Sequence, residues 1–201
     1  MYVPQSFQFR DNKEMIDFMK QYSFATIITT GDNIPLATHL PFFIHEEAGK
    51  LVLRAHFAAV NPQTKYIEAN TSLVIFSEPH AYISPTHYDK RESVPTWDYM
   101  SVHAYGKARV LEDDASKARI LEQMITFYEP DYLAQWQELS EKYKTGMMRG
   151  IVAFELEVTD LQGQKKLSQN KTGAERERIV RQLEKSGNTV ERDLANHIKA
   201  L

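Results

Sequence analysis

The order of apolar and polar positions divides the chain into short elements. Met15, Phe18, Met19 and Tyr22 recur at helical spacing, so Asn12–Tyr22 is predicted as an amphipathic helix. Ser23–Thr30 is then short-sided and β-branched, Gly31-Asp32-Asn33 has turn chemistry, and Ile34–Ile44 reads as a returning strand, which makes a hairpin. Glu46–Gly49 is a second turn and Leu51–His56 the next strand. Asn61-Pro62-Gln63 opens a predicted helix running to about Asn70, with Asn61 as its cap. Leu73–Phe76 is a buried strand that continues through His80–Pro85, with Pro79 at an edge or bulge. Asp89–Ser93 is a charged loop, and Trp97–Leu111 is one long strand or two joined at Gly106. Asp114 is expected to cap a helix to Tyr128 with Ile120 or Leu121, Met124, Ile125 and Tyr128 on its buried stripe, and a second helix covers about Asp131–Tyr143. Ile151–Val158 alternates as a half-exposed strand. Thr172-Gly173-Ala174-Glu175 is a capping box, and a last helix after Asn188 aligns Val190, Leu194, Ile198 and Leu201.

Some six strands in consecutive hairpins, without regular alternation with helices, exclude a doubly wound parallel sheet. The pattern predicts an α+β, mainly β chain: an antiparallel barrel with peripheral and C-terminal helices. Residues 1–170 would form the barrel domain with a helical insertion at about 114–145, and residues 171–201 a helical extension.

Composition narrows the chemistry more than the fold. The chain has no cysteine, which removes disulfides, thiolate metal sites and cysteine nucleophiles, and this is compatible with a cytoplasmic location. Met1-Tyr2-Val3-Pro4 has no signal-peptide pattern, and no apolar window reaches the roughly 18 residues of a membrane span. Glycine spacing supports neither a dinucleotide fingerprint nor a phosphate loop, and no serine sits in a nucleophile elbow. No two histidines stand four apart on a helix, so neither a metal site nor a catalytic residue is assigned. Gly163–Leu201 carries nine Lys/Arg against five Asp/Glu on an otherwise acidic chain. Such a segment is either a solvated helix surface or a contact for nucleic acid or phosphate.

Three stretches concentrate candidate binding groups. Arg54 and His56, two apart, share one strand face and lead to a helix start at Asn61-Pro62-Gln63, which is either a phosphate cradle or a polar face with an ordinary cap. Trp97 and Tyr99 share one face and could line a flat ring or pack in a core or interface. Gln164–Asn170 offers ammonium, hydroxyl and carboxamide donors within seven residues, suited to a flavin's pyrimidine edge or to solvent.

Taken together, Met1-Tyr2-Val3-Pro4 with Phe7, His39-Leu40-Pro41-Phe42, His56 with Asn61-Pro62-Gln63, Ala81–Pro85, Val94–Tyr99 with Val102-His103, and Lys166–Asn170 resemble, in order, the signature blocks of the PaiB-type FMN-binding negative transcriptional regulators. The resemblance implies a split β-barrel, a homodimer with FMN near the subunit interface, and negative regulation of sporulation and degradative enzyme synthesis. It implies that His39, His56, Asn61 and Gln63 lie near the phosphate and ribityl chain, Trp97 and Tyr99 near the ring or the dimer contact, and Lys166, Ser168, Gln169 and Asn170 at the pocket's closing edge. The chain departs from the family's usual residues at Ala59, His87 and Asp98, where Arg, Trp and Asn are common; Arg54 could restore the charge missing at Ala59. The basic C-terminal helices are the candidate DNA surface. Two other functions stay open: a flavin-dependent oxidoreductase, and a haem-binding split barrel using His39, His56 or His103.

Overall fold

The computed structural model describes Met1–Leu201 as two compact bodies. One comprises Met1–Met15, Ser77–His103 and Gln162–Leu201; the other comprises Ile16–Phe76 and Ala104–Leu161. The elements in chain order are β1 (Gln8–Phe9), α1 (Asn12–Gln21), β2 (Phe24–Gly31), β3 (Ile34–Pro41), β4 (Phe43–Glu47), β5 (Lys50–Ala58), β6 (Thr71–Ile83), β7 (Thr96–Leu111), α2 (Asp114–Tyr128), α3 (Tyr132–Glu138), α4 (Glu141–Met148), β8 (Ile151–Lys166), α5 (Gly173–Glu184) and α6 (Thr189–Lys199). The fold class is the expected one, an eight-stranded antiparallel sheet with helices, in the order β3-β2-β6-β7-β8-β5-β4 and β1 on β8.

Local chemistry sets the hairpins. Asp32 and Asn33 both adopt positive φ, 50° and 61°, between the paired ends Gly31 and Ile34. Ala48 and Gly49 do the same, at 50° and 78°, between Glu47 and Lys50. Two-residue loops of this hand match the twist of the flanking strands. Gly106 lets β7 pass close to β8, since a Cβ there would stand 2.2 Å from the Glu157 carbonyl oxygen.

Several sequence expectations need correction. The strand expected over Ile34–Ile44 is two strands, broken at Phe42, and they stand at opposite ends of the sheet order. Phe42 has no exposed surface and its ring meets Phe76 and Phe154 edge-on, at centroid distances of 5.9 and 6.3 Å. Burying that ring outweighs continuing the strand. The helix expected over Asn61–Asn70 is a single 3-10 turn, Pro62–Lys65. The helix expected over Asp131–Tyr143 is two, α3 and α4, because Ser140 caps a new start by accepting from the Tyr143 amide. Asp113, not Asp114, caps α2; its carboxylate accepts from the Ser116 amide at 2.8 Å. The last strand runs on to Lys166. The capping box at Thr172 and Glu175 forms as predicted.

The core of the second body is built from Phe42, Phe57, Phe76, Phe154, Ile27, Leu53 and Leu156, all fully buried. In the first body, Ile179, Val180 and Leu183 of α5 face Leu194, Ala195 and Ile198 of α6, and all six are buried. No helix is long and apolar enough to cross a membrane.

Candidate functional site

The second body carries five of the singled-out residues. His39 lies exposed on β3 opposite Thr26, whose hydroxyl shares a 2.9 Å hydrogen bond with His39 Nδ1. Phe24 stacks beside that ring at 6.3 Å and is 69% exposed. Asn61 and Gln63 are knitted into the protein itself. The Asn61 carboxamide oxygen accepts from the Gln63 amide at 2.9 Å, and its nitrogen donates to Thr38 Oγ1 at 2.9 Å. Thr38 donates in turn to Gln63 Oε1 at 2.7 Å, and Gln63 Nε2 donates to Thr29 Oγ1 and to the Ile27 carbonyl. Gln63 is buried, so every polar atom it brings inside needs such a partner. These two side chains lock the 3-10 turn onto β2 and β3. A turn this short supplies little of a helix dipole for an anion.

Arg54 and His56 do share a strand face, but their environments differ. Arg54 donates to Glu47 at 2.8 Å, to Gln123 at 2.9 Å and to Glu155 at 3.4 Å, and Glu155 also takes Arg109 at 2.7 Å. Only its Nε has no partner. His56 is half-buried and its Nδ1 has no hydrogen-bond partner. Burial pushes its pKa down, so the ring is neutral at pH 7. His56 Nδ1 is thus a buried polar atom without a partner, two residues before the exposed segment Ala58-Ala59-Val60.

The first body carries the other six. Trp97 is 53% exposed and sits against His80 and Tyr82, at centroid distances of 5.7 and 6.2 Å, forming an open aromatic platform. Tyr99 is half-buried two residues on. Lys166 donates to the Trp97 carbonyl at 2.7 Å and to the Thr96 hydroxyl. Ser168 is buried and donates to Asp98 at 2.5 Å. Gln169 closes its own turn, accepting from the Leu167 amide and donating to the Lys165 carbonyl. Asn170 is exposed.

Sequence reasoning read Asp98 only as a departure from family usage. It has no exposed surface, and burial raises its pKa to about 6 against the pull of the Ser168 hydroxyl and the Lys166 and Lys171 ammonium groups. The signal available was a carboxylate in an otherwise aromatic strand start. No group of three or more histidines and carboxylates could hold a metal ion. His103, the other candidate haem ligand, lies half-buried on β7, and burial lowers its pKa. The basic helices are already partly neutralised: Arg178 pairs with Asp89, Arg181 with Glu177, and Lys199 with Glu184.

Solved structures share this arrangement of strands and helices. The flavocytochrome Anf3 from Azotobacter vinelandii superposes with a TM-score of 0.66 at 14% identity, covering 82% of this chain and 72% of that one. An FAD and heme binding protein from Mycobacterium smegmatis gives 0.62 at 16% identity, covering 79% and 73%. At those identities the likeness defines the fold, a split β-barrel. Residues 1–160 match the family described as "Putative FMN-binding domain", and the chain belongs to that family. It is 39% identical over 198 residues to the "Protease synthase and sporulation protein PAI 2" of Bacillus subtilis (strain 168), covering 97% of this chain and 95% of that protein.

Proposed function

We propose that this chain is an FMN-binding transcriptional regulator, a cytoplasmic homodimer that represses sporulation and protease synthesis. The observation that carries the reading is the near full-length similarity to the B. subtilis protein named for protease synthase and sporulation, together with membership of the FMN-binding family. The donor chemistry suits FMN. On the second body, the partnerless His56 Nδ1 and the exposed His39 are the groups proposed for the phosphate and ribityl hydroxyls. Trp97, Tyr99 and the exposed Asn170 of the first body are a second, separate candidate set, with chemistry suited to a flavin ring and its polar edge. Asn61 and Gln63 are proposed with the former set, and Lys166, Ser168 and Gln169 with the latter, Lys166 through its bond to the Trp97 carbonyl. A bound flavin would supply redox chemistry, and the protein would supply its orientation and electrostatics. Exposed Phe24 and Ile34, 69% and 62% accessible, support a subunit contact on the β2–β3 hairpin.

Titrating the purified protein with FMN, read by quenching of flavin fluorescence, tests the cofactor. His56→Ala should weaken binding about tenfold, the value of one lost hydrogen bond to a charged group. An unchanged affinity would remove His56 from the site. Light scattering reports the oligomer, and a monomer at micromolar concentration would refute the dimer. For direct repression through α5 and α6, promoter DNA should be retarded with a shallow salt dependence, a log–log slope of about −2 to −4, because three cations are already ion-paired. No retardation at low salt would make the repression indirect.

A further inference from the structure

We propose that the turn Lys165–Lys171 is a flap held shut by Asp98, and that closing it is coupled to the uptake of one proton by that carboxyl group. The turn is a unit closed on itself. The Leu167 amide donates to Gln169 Oε1 at 2.8 Å, Gln169 Nε2 to the Lys165 carbonyl at 2.6 Å, and the Lys171 amide to the Ser168 carbonyl at 3.0 Å. Two side chains tie this unit to β7. Lys166 reaches the Trp97 carbonyl and the Thr96 hydroxyl, and Ser168 reaches Asp98. Ser168 holds a φ of 56°, a left-handed conformation that costs a non-glycine residue energy and persists only where its surroundings impose it. Its 2.5 Å bond to Asp98 is the imposed contact.

The closed state is unfavourable for a charged Asp98. The side chain has no exposed surface, and one oxygen takes the Ser168 hydroxyl while the other has no donor. A full charge on that second oxygen would be desolvated and unpaired. The charged groups around it act in both directions. Lys166 at the end of β8 and Lys171 in the turn favour the carboxylate. Tyr88, whose hydroxyl is buried without a partner and whose ring lies 3.7 Å beneath the Lys171 ammonium, and Glu175 of α5 complete the surroundings. The balance raises Asp98 from 3.8 to about 6.

Opening the turn admits water and returns the carboxyl to its ordinary range. The sign then follows. Below pH ~4 Asp98 is protonated in both states, and the closed state keeps its full advantage. As pH rises through about 6 the open state ionises first, and the closed-to-open ratio falls by up to roughly 100-fold before levelling off. The flap is therefore tighter in mild acid than at neutral pH. Its bearing on FMN rests on the proposal that Asn170 and its neighbours meet the flavin.

Hydrogen exchange of the Leu167–Lys171 amides in the full chain tests this, each rate corrected for its intrinsic pH dependence. Between pH 4.5 and 7.5 the protection should fall at least tenfold, while core amides of β5 do not follow. In Asp98→Asn the trend should be absent. Carbon-13 titration of the wild-type Asp98 carboxyl should show a midpoint near 6, and Ser168→Ala, which cuts the tie that holds the turn shut, should bring the midpoint down toward the ordinary carboxylate range. A wild-type Asp98 midpoint near 4, pH-independent protection in wild type, or a retained trend in Asp98→Asn would each overturn the flap. FMN affinity that ignores pH while the protection trend stands would refute the link to flavin and leave the flap intact.

Discussion

Arg54→Ala is expected to destabilise the protein by about 2–4 kcal/mol while leaving the FMN affinity of the folded molecules within about twofold. Arg54 is 9% exposed, and its guanidinium serves three acceptors: Glu47, Gln123 and Glu155. Removing one partner of a buried pair leaves the other uncompensated, which costs about 3–5 kcal/mol in fully buried cases. Here the loss is smaller, because Glu47 is exposed and returns to water, and Glu155 keeps Arg109. Glu47 is held below its ordinary range first by its hydrogen bond with His45 and then by Arg54. A depressed carboxylate stabilises the fold above its unfolded pKa and loses that effect as pH falls. The penalty of Arg54→Ala should therefore shrink in acid, below about pH 4.5. Urea unfolding at pH 7 and pH 4 measures both. A variant as stable as wild type that has lost FMN would instead make Arg54 a phosphate ligand.

This residue illustrates what the sequence could and could not disclose. Period-two alternation correctly put Arg54 and His56 on one face, because strand geometry is local. What that face meets is not local. The register pairs Arg54 with Glu155 on β8, a hundred residues away, and with Phe43 on β4. Nothing in the Arg54–Gln63 stretch signals the acids that Arg54 meets in the fold, so its ion pairing was not legible in the sequence. The partners of Asn61 and Gln63 were hidden in a similar way. Their polar atoms satisfy Thr38, Thr29 and a strand carbonyl that only the folded hairpin brings near. The Asp98–Ser168 bond, spanning seventy positions, was equally hidden.

Local signals fared better. Turn residues at Asp32-Asn33, the capping box at Thr172 and the apolar spacing of α1 each encode their structure within a few positions. Helix ends in the insertion were less legible, because Ser140 reads as one more polar surface residue until its hydroxyl caps α4. The family blocks carried the fold across these gaps, since several motifs in fixed order constrain long-range pairing that no single window contains.

Phe42→Ala should have the largest effect on stability, about 3–5 kcal/mol, a fall in Tm of roughly 10 °C for a chain of this size. The ring is fully buried between Phe76 and Phe154, and truncation leaves a cavity in a core whose neighbours are themselves large and interlocked. The backbone is committed as well: the Phe42 amide donates to the Ser23 carbonyl at 2.9 Å, and its own carbonyl accepts from the Tyr128 hydroxyl at 3.2 Å. These bonds persist in the variant, so the chain should still bend between β3 and β4, with greater freedom. Phe42→Leu, which keeps most of the volume, should cost about 1–2 kcal/mol. Thermal unfolding of the pair separates volume from backbone. If the ring holds the break in place, hydrogen exchange should speed up first at residues 40–44, whereas equal acceleration across β2 and β5 would mean that the ring serves the core alone. A loss below about 1 kcal/mol in Phe42→Ala would show that the two strands are divided by their backbone hydrogen bonds and not by the aromatic ring between them.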